Sequence, residues 1–137
     1  METLSLERAQ KLVTRAMEKA KKDFQRPICV SVCDQWGFLL AFGRMDASPI
    51  RSIQIAQRKA FTAVRMGVAT DVFFSRLQQG NMEASYFDET FTALPGGNPL
   101  KDKAGNMIGG VGVSGLAASE DQAITEAMAA LVATGEV

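Results

Sequence analysis

A chain of 137 residues with 47% hydrophobic and 22% charged side chains has the size and mix of one folded domain spanning 1–137, which argues against disorder, collagen and coiled coil. Fifteen acidic and fifteen basic residues cancel, so the chain lacks the cationic excess with which nucleic-acid binders displace counterions. It contains no histidine, which excludes Ser-His-Asp and Cys-His nucleophiles, the common zinc sites and a histidine-ligated haem.

Apolar residues from Leu6 to Phe24 recur at three- and four-residue steps, which predicts an amphipathic helix over about 5–24, with Ser5 as N-cap and Pro27 as its stop. The basic run Lys19–Lys22 lies on that helix beside Glu18 and Asp23 and reads as a solvated face. Ile28–Cys33 alternates as a strand, Asp34–Gly37 as a turn, and Phe38–Arg44 as the return strand of a hairpin. Met45–Pro49 breaks the pattern, and Ser48 before Pro49 predicts the start of a helix over about 49–66. Thr70 is expected to cap a short helix over 71–78 that ends at Gly80. Asn81–Thr90 reads as loop, Thr90–Leu94 as a short strand and Pro95–Pro99 as a turn. Leu100–Lys103 and Met107–Val113 form a second expected hairpin, and Ser119 is expected to cap a last helix running to about Ala133. Hairpin-linked strands with helices before, between and after them call for an antiparallel sheet with helices on its faces.

No run approaches the ~18 apolar residues of a membrane span, and the acidic, polar opening Met1–Ser5 is unlike a secretory leader. Cys29 and Cys33 sit four residues apart, about 13 Å along an extended strand, which is too far for a disulfide. Reduced thiols fit a cytoplasmic protein. With histidine absent, chemistry falls to carboxylates, lysine, tyrosine, cysteine and backbone dipoles. Met45–Asp46, at a strand end, is read as a polar anchor or general base, against the plainer reading of a local cap. Lys59, some three turns into the next helix, is its candidate charge partner. Pro95-Gly96-Gly97 exposes backbone N–H groups that can form an anion concavity, or makes a plain turn. The glycines of Gly109–Gly115 fall inside a strand, so they fit close approach of a packed partner or ligand better than a dinucleotide loop. Tyr86, Met45, Cys33 and Lys59 are the side chains able to ligate haem iron; no dedicated metal site is expected.

Four motifs in order are similar to those of the GlcG/HbpS family: Met45-Asp46-Ala47, Lys59–Ala63, Leu94–Pro99, and Ile108–Gly115 followed by Asp121. That family includes the C-terminal domain of PduO-type proteins and the OrfY-type proteins of glycerol and diol operons. The resemblance spans nearly the whole chain. It implies a profilin-like three-layer α/β/α sandwich (an α+β fold) with a central antiparallel sheet, and homo-oligomers from dimers to octamers. It also implies haem binding in several members, a corrinoid link in others, and a setting of glycolate, glycerol or diol use, with no secure reaction attached. Unlike haem-binding members that use histidine, this chain has none. The function expected is a small-ligand-binding accessory protein whose pocket lies near Met45, Asp46, Lys59, Pro95, Gly96, Gly97 and Ser114, at a subunit interface. The alternatives are an enzyme with Asp46 as base and Lys59 or the Gly96–Gly97 amides stabilising an oxyanion, and a scaffolding subunit.

Overall fold

The computed structural model describes residues 1–137. In chain order it contains α1 (Leu6–Lys19), β1 (Cys29–Asp34), β2 (Leu39–Arg44), α2 (Ser52–Met66), α3 (Thr70–Gly80), β3 (Gly97–Lys101), β4 (Met107–Ser114) and α4 (Ala118–Thr134). A π turn, Ala20–Phe24, prolongs α1, and a 3₁₀ turn covers Ala84–Tyr86. The strands form one antiparallel sheet in the order β2-β1-β4-β3.

The expected three layers are present. Val30 and Val32 of β1 and Val111 and Val113 of β4 point to one face, where they join Leu12 and Ala16 of α1 and Ile124, Met128 and Val132 of α4 in the main core. Cys33 points to the other face and meets Ala60 and Val64 of α2. β1 is therefore covered on both faces, which explains its nearly unbroken run of buried residues. The strand glycines make the second contact possible. A Cβ on Gly112 would lie 2.1 Å from the Ala56 carbonyl oxygen, and one on Gly110 would lie 2.5 Å from Val64. These glycines admit the backbone of α2 and make no dinucleotide loop.

Several boundaries differ from those read off the sequence. Thr90–Leu94 is not a strand: its amides bond side chains and not a neighbouring strand, Thr92 N–H to Thr62 Oγ1 of α2 and Leu94 N–H to Thr92 Oγ1. The strand begins instead at Gly97, within the stretch expected to be a turn. Pro99 is tolerated there because β3 is an edge strand and has no outer neighbour to receive an N–H. Helix α2 starts at Ser52 and not at Pro49. Ser48 does not cap it; its hydroxyl lies 2.7 Å from the Met45 carbonyl and 3.0 Å from that of Ile28. Helix α4 starts at Ala118, ahead of Ser119, because Glu120 reaches back to accept the Ala117 N–H at 3.1 Å. Ser5 does cap α1, accepting the Arg8 N–H. No helix is long and apolar enough to cross a membrane.

Candidate functional site

Two separate places hold the residues singled out from the sequence. Lys59, Gly96, Gly97 and Ser114 lie between α2, β4 and the start of α4. Helical phase turns Lys59 inward from α2, and its Nζ donates to the Val113 carbonyl at 2.8 Å and to Asp121 Oδ2 at 3.1 Å. Both side chains are only 3% exposed. Burial pulls the Lys59 ammonium below the ordinary lysine value and pushes the Asp121 carboxyl up, and their mutual attraction opposes both shifts. Gly96 takes φ +119, and a Cβ there would sit 2.8 Å from Lys59 Nζ. The two amides proposed as an anion concavity are already engaged: Gly96 N–H donates to Gln122 Oε1 at 2.6 Å and Gly97 N–H to Thr70 Oγ1 at 2.9 Å. The Ser114 hydroxyl meets Ser52 Oγ at 3.1 Å. This cluster is a closed polar brace between layers, with Pro95 half-buried at its edge.

Met45 and Asp46 stand elsewhere. The antiparallel hairpin carries the end of β2 beside the chain that enters β1, so that Arg44, Met45 and Asp46 flank Arg26 and Pro27. Together with Met17 and Lys21 they line an open cleft of about 810 Å³ between the end of α1 and the end of β2. Asp46 is exposed there and shares no cavity with Lys59. The Met45 sulfur is half-buried and accepts the Ile28 N–H at 3.3 Å. Arg26 is tied to Glu120. Two non-glycine residues with left-handed backbone, Gln25 at φ 52 and Ala47 at φ 67, flank this cleft, and at Ala47 that conformation is strained.

Of the other candidate ligands to iron, Tyr86 is exposed on its 3₁₀ turn. Cys33 is buried, and desolvation pushes its thiol up to about 12. No group of three or more His, Cys, Asp or Glu residues is placed to hold a metal ion. The sequence reading missed Met17, Lys21, Arg26 and Arg44. The hairpin itself was the available signal, because pairing Cys29 with Arg44 puts residues 26–27 next to 44–46.

A family model described as "Haem degrading protein HbpS-like" matches residues 4–130. The chain belongs to the HbpS-like family. Within the HbpS-like fold, a double mutant of HbpS from Streptomyces reticuli superposes with a TM-score of 0.85 at 34% identity, covering 96% of this chain and 88% of that one. A structure described as the PduOC:Heme complex superposes with a TM-score of 0.81 at 29% identity, covering 94% of each chain. The corrinoid adenosyltransferase PduO of Citrobacter freundii is 31% identical over 124 residues, which is 88% of this chain and 36% of PduO. The chain thus spans about a third of the length of that curated relative. The HbpS-like membership agrees with the resemblance carried by the four sequence motifs.

Proposed function

We propose that this HbpS-like chain is an accessory protein that binds haem in the cleft between the end of α1 and the end of β2. The observation that carries this reading is the composition of that cleft: apolar Met17, Pro27 and Met45 beside the cations Lys21, Arg26 and Arg44. A haem needs an apolar slot, cationic partners for its propionates and one or two axial donors. The volume of about 810 Å³ lies within the range of roughly 300–1,000 Å³ usual for ligand pockets. Met17 and Met45 are the thioethers available to iron in a chain without histidine. When bound, haem supplies a redox-active iron, and thioether ligation raises its potential. The chain's own residues do the holding: Lys21 and Arg44 are free to pair with carboxylates, while Asp46 and Glu18 repel them and so set the orientation.

The match to the haem complex supports the reading. The two free cations, Lys21 and Arg44, favour haem over a corrinoid, whose periphery of amides offers them no carboxylate. The pathway setting is glycolate, glycerol or diol use, as in the family the motifs resemble. Free Cys29 and Cys33 accord with a cytoplasmic location. Exposed Trp36, Ile50, Tyr86 and Leu94 support assembly into a homo-oligomer, which sedimentation at several protein concentrations would reveal.

Titration with ferric haem, followed by the Soret band, tests the site. The wild type should give a saturable shift, Met45→Ala an altered spectrum, and Arg44→Glu an affinity at least about tenfold weaker. A wild type without a saturable shift at micromolar haem, or two variants that behave like it, would overturn the assignment.

A further inference from the structure

Helix α2 does not cover its face of the sheet out to the edge. Between it and edge strand β2 lies a second cleft, of about 500 Å³, which shares no lining residue with the cleft at Met45. Buried Ser31 and Cys33 of β1 line its base, Phe38 and Leu39 come from the hairpin, and Arg58 and Phe61 from α2.

Three of these side chains are not accounted for by the fold. Ser31 is 1% exposed as a residue, and that residual exposure opens on the cleft; its hydroxyl bonds no protein group and is reached only from the cleft. Arg58 is exposed and makes no ion pair, and no acidic residue lines the cleft to neutralise it. Phe38 remains 66% exposed, although it borders the same space as the half-buried Phe61. The hairpin that carries Phe38 is not loose: Arg65 Nε donates to the Trp36 carbonyl at 2.8 Å while its guanidinium lies 4.7 Å from the centre of the Phe61 ring.

We propose that this cleft is a binding site for an aromatic monocarboxylate with a polar group at the far end of its ring. Arg58 pairs with the carboxylate, Phe38 and Phe61 flank the ring, and the Ser31 hydroxyl bonds the distal polar group. The lone cation with no acid beside it sets the charge of the guest, and the unpartnered hydroxyl sets its second polar point.

Para-hydroxycinnamate is a suitable probe, with cinnamate and the methyl ester of para-hydroxycinnamate as controls, each added to isotope-labelled protein and followed by backbone amide shifts. Para-hydroxycinnamate should shift amides at Phe38–Leu39 and Arg58–Phe61 saturably. Arg58→Gln should weaken both acids about tenfold, and the ester should bind as weakly as the acids bind that variant. Ser31→Ala should weaken para-hydroxycinnamate to the level of cinnamate and leave cinnamate unchanged. On the wild type alone, the preference for the hydroxylated acid carries the Ser31 argument if that variant does not fold. Absence of saturable shifts at millimolar probe, equal binding of acid and ester, or shifts at Arg44–Asp46 instead would overturn the proposal.

Discussion

Lys59 ties its own helix to two other parts of the fold with one ammonium group: the β4 backbone through the Val113 carbonyl and α4 through Asp121. A buried ion pair contributes little net stability compared with well-packed apolar residues, but removing one partner strands a charge in the interior. Lys59→Met alone should therefore cost about 3–5 kcal/mol in urea unfolding, and adding Asp121→Leu should restore most of it. A single-variant loss below about 1 kcal/mol would mean that water reaches Asp121. The importance of Lys59 was legible in the sequence, since its motif marked it. The fourth motif marked Asp121 too, but their pairing was not legible and Asp46 was expected instead, because Asp121 lies 62 residues further on, in a helix whose docking angle no local pattern encodes. Gly96 was read as an open amide for an anion, whereas Gln122, one residue beyond Asp121, already occupies it.

Among the elements, the β3–β4 hairpin shows how a short edge strand is anchored. The Asp102 carboxylate accepts N–H bonds from Ala104 and Asn106 across the turn and from Glu2 in the N-terminal segment. The Glu2 amide, followed by that of Asn106, holds its pKa below the usual 3.8. A carboxyl lowered in the folded state adds stability that is fully present above 3.8 and is lost as the pH falls through the lower folded value. Asp102→Asn should thus lower the urea midpoint at neutral pH and flatten its decline below about pH 4. An unchanged decline would place the acid sensitivity in other groups. The hairpin was visible in the sequence from Gly105 and the alternating strand after it. The start of its first strand, expected at Leu100, was not, since Gly97 and Pro99 carry turn propensity, and only an edge position makes them acceptable. Thr90–Leu94 failed in the opposite sense: its β-prone residues found no strand to pair with, because β3 already completes the sheet.

At the scale of the whole molecule, the two helical layers cover the sheet unequally: α1 packs on β2, where a Cβ on Gly43 would lie 2.6 Å from Val13, whereas α2 stops short of that strand. β1 is buried along nearly its whole length, while its neighbour β2 is half-buried throughout and exposed at both ends. The two clefts border that hairpin on opposite faces, one beside the end of α1 and one where α2 leaves β2 bare. Helical and strand periodicity revealed the layers in advance, but which strand α2 leaves bare follows from its placement across the sheet. Of the expected ligand residues, Met45 and Asp46 fall on the open surface and Lys59, Gly96, Gly97 and Ser114 inside the brace. A crystal structure of the protein grown with ferric haem, read for the anomalous signal of iron, decides the central assignment. Iron bound as proposed gives one peak beside Met17 and Met45, with density for carboxylates reaching Lys21 and Arg44. A peak on another surface, or haem lodged in the cleft below Phe38 with the Met45 cleft empty, would contradict it.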